Sequence, residues 1–91
     1  MKELEPVLDE QGRLTALPVK QGKKQLAIAY LAGKFEAGKR YSEKEVNALL
    51  KEWHTFGDPA TLRRELYNRF FLNREPDGSA YWLEEPEKPE K

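Results

Sequence analysis

The run from Asp58 to Leu66 constrains the fold of this 91-residue chain more than any other stretch. Asp58 can cap the first free N–H groups of a helix, and Pro59 suits the first helical turn, where its missing donor costs nothing. Leu62, Leu66 and Phe70 then recur every four residues, which predicts one apolar stripe. The pattern therefore predicts a helix from Pro59 to about Phe70 with one side in a core and the other in water.

A second helix start signal lies at Ser42. Ser42 followed three positions later by Glu45 is a capping box, ahead of apolar residues with the i, i+3, i+4, i+7 spacing of an amphipathic helix. This helix is predicted to end around His54, and residues 55–57 are predicted to connect it tightly to Asp58. A further helix is predicted over 20–34, with lysines at positions 20, 23 and 24 of its start. Positive charges are unfavourable at the start of a helix, because that end of the helix dipole is already positive. These lysines are therefore expected to have a role other than stabilising the helix.

The ends of the chain show weaker patterns. Residues 1–6 are predicted to form a flexible N-terminus, and residues 7–17 read as a short hairpin around Gln11-Gly12. Strands are predicted at 71–74 and 80–83, joined by a turn at 76–79 that contains Gly78. Residues 84–91 alternate Glu, Lys and Pro, which predicts a disordered acidic tail.

The predicted order is helix, short strand near residues 39–41, helix, turn, helix, strand, turn, strand. This order predicts an α+β fold of the winged helix-turn-helix type, with a three-helix core, a C-terminal two-stranded wing and an N-terminal hairpin. One domain, residues 7–83, accounts for the pattern, because 91 residues leave no room for a second core.

Charge is segregated along the chain although the formal net charge is zero. Residues 20–74 contain seven Lys and five Arg against six acidic residues, a net charge of +6, whereas residues 1–19 carry −2 and residues 75–91 carry −4. Such asymmetry favours contact with nucleic acid, although charge runs also serve solvation alone. The absence of cysteine excludes disulfides, and the longest apolar run is too short for a bilayer. A cytoplasmic domain with no membrane partner is expected.

The central residues resemble the bacterial domain of unknown function numbered 2087. The residues that carry this resemblance are Tyr41–Asn47, Leu50, His54, Asp58, Thr61–Leu66, Leu72, Arg74, Asp77–Ser79, Tyr81 and Trp82, with Gly12–Leu14 and Leu17-Pro18 upstream. It covers roughly Val7 to Leu83. Members of that family occur alone or attached to helix-turn-helix regulators of the ArsR type, so the resemblance implies a role in transcriptional regulation. It brings no catalytic residues.

The chain departs from the family pattern at two places. The family often has an acidic residue soon after the Leu-Arg-Arg-x-Leu motif, where this chain reads Tyr67-Asn68-Arg69. It also tends to end the second wing strand with a basic residue, where Leu83 and Glu84 stand here. The second departure weakens a phosphate-binding role for the far wing strand.

Candidate DNA-reading residues lie on the exposed side of the predicted helix 59–70. Arg64 can bond a guanine edge, Asn68 an adenine edge, and Thr61 a phosphate or a thymine methyl group. Phosphates are predicted to be held by three further residues, Lys44, Arg74 and Ser79. The prediction is double-stranded DNA binding, with helix 59–70 in the major groove and the wing 72–83 on the backbone.

The neighbouring polar residues are expected to stabilise the fold and not to bind a ligand. Arg63 is expected to pair with Glu45 or Asp58 and lock the turn, and Asn47 is expected to be a buried hydrogen-bonding residue. The single histidine, His54, is expected to fix the end of its helix, because two ligands are too few for a metal site.

No nucleophile-and-base set, phosphate-binding glycine motif or zinc spacing is present, so neither an enzyme nor a cofactor is expected. The alternative function is a protein-interaction or dimerisation module without nucleic-acid contact, because the chain has more aromatic residues than its core needs. Its partner would be a second copy or a regulatory protein.

Overall fold

Three helices precede a two-stranded antiparallel sheet in the computed structural model, which describes residues 2–84. The helices are α1 (Gln21–Ala32), α2 (Glu43–Glu52) and α3 (Pro59–Asn68), and the strands are β1 (Leu72–Arg74) and β2 (Tyr81–Leu83). A 3₁₀ helix, Lys2–Val7, comes first. The predicted α+β class and the winged-helix-like layout are confirmed.

Side-chain caps begin both central helices as predicted. The Ser42 hydroxyl accepts a hydrogen bond from the Glu45 N–H at 3.0 Å, and the Glu45 carboxylate accepts from the Ser42 N–H at 2.9 Å. At α3, Asp58 accepts from the Thr61 N–H at 3.2 Å, and Pro59 takes the first helical position. Each cap satisfies donors that a helix end would otherwise leave free.

The wing consists of β1, β2 and the turn between them. Leu72 pairs with Leu83, and Gly78 adopts a φ of 77° in the turn, a conformation that favours glycine. Tyr41 adds one antiparallel bridge on the other side of β2, with both backbone hydrogen bonds to Tyr81 at 2.7 Å. The strand predicted near residues 39–41 is therefore a single bridging residue.

The core lies where the three helices meet the wing. Its largest fully buried side chains are Leu4, Leu14, Ile28, Leu31, Val46, Leu50, Leu62, Leu66 and Leu72. The N-terminal residues differ from the predicted flexible segment, because Leu4 has no exposed surface and the 3₁₀ helix packs against α1. Nothing in the local sequence around Leu4 indicates this partner.

The predicted N-terminal hairpin is a narrow turn with one antiparallel bridge, between Leu8 and Leu14. Gly12 takes a φ of 79° there, and a Cβ at this position would lie 2.9 Å from the Tyr30 hydroxyl oxygen. Leu14 also bridges to the connection between α2 and α3. Its N–H donates to the Trp53 carbonyl at 2.8 Å, and its carbonyl accepts from the Thr55 N–H at 2.9 Å.

Two boundaries differ from the sequence prediction. Helix α2 ends at Glu52, so residues 53–58 form a longer connection than the tight turn expected at 55–57. Helix α3 ends at Asn68, and Phe70 has a φ of 67° with 80% of its surface exposed. Placing Phe70 in the apolar stripe of α3 was wrong, because the backbone leaves the helix before its side chain can turn to the core.

The predicted disordered acidic tail, residues 84–91, lies outside the described residues except for Glu84. The Glu84 N–H donates to the Phe71 carbonyl at 2.9 Å and extends the pairing of the wing by one bond. Within residues 2–84, no helix has the length and apolar character needed to span a membrane.

Candidate nucleic-acid interface

A groove of about 400 Å³ lies between α3 and the wing and opens to solvent. We call it the arginine groove, and it is lined by Glu43, Arg63, Arg64, Tyr67, Asn68, Arg74 and Tyr81. Three of the six predicted DNA-binding residues meet here: Arg64, Asn68 and Arg74. The other three, Thr61, Lys44 and Ser79, do not line the groove.

Arg64 and Asn68 lie one helical turn apart on the exposed side of α3. Leu62 and Leu66, on the opposite side, are fully buried and hold the helix against the core. Within residues 2–84, neither Arg64 nor Asn68 forms a side-chain hydrogen bond. Their polar groups are therefore directed to solvent and are available to a ligand.

Arg74 faces these residues from β1. Its guanidinium carbon lies 4.8 Å from the centre of the Tyr67 ring, and its Nη1 donates to the Pro76 carbonyl at 3.4 Å. Stacking on an aromatic ring fixes the plane of a guanidinium group and leaves its edge donors free. Arg74 is thus oriented before any ligand arrives.

Arg63 joins α2 to α3 at the floor of the groove. Its Nη1 donates to the Asn47 amide oxygen at 2.6 Å, and its Nη2 lies 3.7 Å from a Glu43 carboxylate oxygen. Its structural role agrees with the sequence prediction, but the predicted partners were wrong. Glu45 and Asp58 are already used as helix caps, so Asn47 and Glu43 take their place.

Thr61 and Ser79 each lie beside a carboxylate, because the Thr61 N–H donates to Asp58 at 3.2 Å and the Ser79 N–H donates to Asp77 at 3.0 Å. Hydrogen bonds from the hydroxyl and N–H of Thr61 lower the pKa of Asp58, and those of Ser79 lower the pKa of Asp77. Each hydroxyl therefore sits beside a negative charge, which makes a phosphate an unfavourable neighbour. Lys44 is exposed on α2, outside the groove.

His54 fixes the connection that leads into α3. Its Nδ1 lies 2.6 Å from the Leu50 carbonyl, and its Nε2 accepts from the Asp58 N–H at 2.9 Å. Since a carbonyl can only accept, Nδ1 carries the hydrogen. The ring is almost fully buried and meets Phe56 edge-on at 4.7 Å between centres. The predicted structural role of His54 is confirmed.

Tyr67 is the residue of the groove that sequence reasoning missed. It lies three positions after Arg64 and one before Asn68, so helical spacing alone places it on the same side of α3. Its ring, 37% exposed, supports the Arg74 guanidinium.

Among residues 2–84, no three His, Asp or Glu side chains come together as metal ligands.

Comparison with known proteins identifies the family. A family model described as "Uncharacterized protein conserved in bacteria (DUF2087)" matches residues 13–83. No curated protein and no solved structure matches the chain. The match includes both capped helices, the arginine groove and the wing, and it confirms the resemblance seen in the sequence. The chain therefore belongs to the bacterial family DUF2087.

Proposed function

We propose that this chain binds double-stranded DNA, with α3 in the major groove and the wing on the backbone. The observation that carries the proposal is the arginine groove, where Arg64 and Asn68 of α3 face Arg74 of the wing. In winged-helix proteins these two elements are the ones placed to read bases and to hold the backbone.

The chemistry of the groove suits base edges and phosphates. Arg64 can donate two hydrogen bonds to guanine, and Asn68 can pair its amide with adenine. Both side chains can turn to DNA without breaking a hydrogen bond to residues 2–84. The stacked guanidinium of Arg74 offers a planar, charged donor pair that matches a phosphate group.

Charge supports the same function. Three arginines and one glutamate line the groove, and Glu43 lies close to Arg63. The groove is therefore a positive surface inside the basic middle of the chain. We place Lys44 at the edge of this contact, and we give Thr61 and Ser79 a smaller part than the sequence predicted.

The biological role that fits this binding is bacterial transcriptional regulation in the cytoplasm, without a catalytic step. A single module of this size buries only about 600–1,000 Å² on DNA, so specificity requires a second copy or an attached domain. The alternative function, a protein-interaction module without nucleic-acid contact, is favoured by one observation, the 80% exposure of Phe70.

An NMR titration of the chain with a random-sequence duplex tests the proposal. We expect the amide signals of α3 and β1 to shift, and the Arg64→Ala, Asn68→Ala double variant to lose most of the binding while remaining folded. Lys51→Ala is the matched control, because Lys51 is exposed on α2 away from the groove. Equal binding by the double variant and the control would overturn the assignment.

Salt dependence provides an independent measurement. Affinity should fall steeply as salt rises, and Arg74→Ala should reduce the slope of log K against log salt by about one. Arg74→Lys separates charge from stacking, because lysine keeps the charge but loses the planar contact with Tyr67. A slope near zero for the unmodified chain would favour the protein-interaction alternative.

A further inference from the structure

The C-terminal end of α3 carries a residue that its backbone disfavours. The Phe71 N–H donates to the Leu66 carbonyl at 2.9 Å, and the Phe70 N–H donates to the Tyr67 carbonyl at 3.1 Å. These two bonds form a Schellman motif, whose left-handed position is usually glycine. Phe70 occupies that position with a φ of 67°, which is strained for a bulky side chain.

The Phe70 ring is held in water on a fixed backbone. It is 80% exposed, yet Arg69 before it is hydrogen-bonded to α1 and Leu72 after it is buried in the core. A strained position that exposes an aromatic ring is unfavourable on both counts for the isolated chain. A ligand that covers the ring would offset the cost of exposure, and the fixed backbone lowers the entropic cost of binding.

A second groove, of about 390 Å³, lies beside the ring and adjoins the arginine groove. It is lined by Tyr67, Asn68, Phe70, Leu72, Asn73 and Glu84. Tyr67 and Asn68 line both grooves, so they form the boundary that the two grooves share. A ligand that occupies the arginine groove and contacts Asn68 therefore has the Phe70 ring next to it.

The lining of the second groove suits the edge of a base and not a phosphate. None of its lining residues is a lysine or an arginine, and Glu84 would repel a phosphate. The groove offers the aromatic ring of Phe70 and the amide of Asn68. In the major groove, phenylalanine can contact the methyl group of thymine, and asparagine can bond the adenine that pairs with thymine. The ring and the amide thus match the two halves of one A·T edge.

We propose that Phe70 is a specificity-determining residue that contacts a thymine methyl group in the major groove, beside the base bonded by Asn68. This inference rests on the proposed function and names the base pair that the C-terminal end of α3 prefers. The exposure of the ring alone would suit a protein partner equally well. The boundary that the second groove shares with the arginine groove is the observation that favours DNA.

Two duplexes of the same mixed sequence test the proposal by fluorescence anisotropy. One contains thymine and the other deoxyuridine, which lacks only the methyl group. We expect the unmodified chain to bind the deoxyuridine duplex about three- to fivefold more weakly for each methyl group contacted. Phe70→Gly should bind the thymine duplex about fivefold more weakly than the unmodified chain, and it should bind both duplexes equally. Glycine suits the left-handed backbone, so this variant removes the ring without endangering the fold.

The matched control is Val19→Ala, because Val19 is 87% exposed and lines neither groove. This control should keep the full preference for thymine. The comparison of the two duplexes with the unmodified chain needs no variant, and equal affinity for both would overturn the proposal by itself. A Phe70→Gly variant that binds like the unmodified chain would also overturn it.

The Arg64→Ala, Asn68→Ala double variant separates this inference from the proposed function. Duplex binding that is lost in the double variant but does not depend on Phe70 would overturn the thymine contact and leave the proposed function intact. An unmodified chain that binds neither duplex would overturn both, and the Phe70 ring would then be assigned to a protein partner.

Discussion

The two ends of α3 are constructed in opposite ways. At the N-terminal end, Asp58, Pro59 and His54 satisfy or remove the free donors of the first turn. At the C-terminal end, the backbone hydrogen bonds are complete, but Phe70 holds a conformation better suited to glycine and exposes its ring. The first end is explained by interactions within the chain. The conformation and exposure of Phe70 do not stabilise the chain, so we expect its side chain to have a function other than stabilising the fold.

This contrast separates structural residues from functional ones along a single helix. Residues at the capped end have partners within the chain, so their replacement should change stability first. Residues towards the other end, Arg64, Asn68 and Phe70, have exposed side chains, so their replacement should change binding first. Arg69 is the exception, because its three donor groups bond Glu65, Gln25 and Gln21.

The largest effect is expected at the capped end, from His54→Ala. The variant removes the bonds to the Leu50 carbonyl and the Asp58 N–H and leaves a cavity beside Phe56. A loss of about 2–3 kcal/mol in the free energy of unfolding is expected, because a buried ring is removed and the Asp58 N–H loses its acceptor. Urea denaturation measures it, with Thr55→Ala as the exposed neighbouring control. Similar losses in both variants would contradict the role given to His54.

A gain of about 1 kcal/mol in stability is expected at the opposite end, from Phe70→Gly, because the left-handed backbone is no longer strained. Phe70→Ala keeps the strained conformation and should gain much less. Both are compared with the unmodified chain by urea denaturation at concentrations where each is monomeric. Destabilisation by Phe70→Gly would show that the ring contributes to the fold and would remove the contrast between the two ends.

The smallest effect concerns pH and Asp58. Hydrogen bonds from Thr61 lower the pKa of this carboxyl in the folded chain. Its charged form therefore stabilises the fold above the pKa of the unfolded chain, and this contribution is lost as pH falls through the folded pKa. Asp58→Asn keeps the cap without the charge. The unmodified chain should be the more stable one at about pH 6 and should lose this advantage as the pH falls below the usual range of an aspartate. A pH-independent difference would contradict the assignment.

The sequence predicted the elements whose signals are local. The capping box at Ser42 and the Asp58-Pro59 start placed α2 and α3, and Gly78 placed the turn of the wing. The end of α3 could not be predicted in this way, because Phe70 continues the four-residue spacing although the backbone has already turned. The burial of Leu4 was not predicted either, because α1, against which its 3₁₀ helix packs, lies far along the chain.

The candidate site was predictable to a similar extent. Helical spacing put Arg64 and Asn68 together, and the wing prediction brought Arg74 opposite them. Thr61 and Ser79 stay predictions as DNA contacts, and spacing did not reveal that the carboxylates of Asp58 and Asp77 lie beside them and accept their N–H groups.

The bridge from Leu14 to residues 53–55 has a consequence for the unfolding of the domain. Its two hydrogen bonds join segments that are far apart in sequence, and they hold the connection between α2 and α3 from outside the helices. The amides of Leu14 and Thr55 should therefore exchange with deuterium only when the whole domain unfolds. Removal of the first fifteen residues would accordingly release the helix-turn-helix connection, although every residue of both helices would still be present.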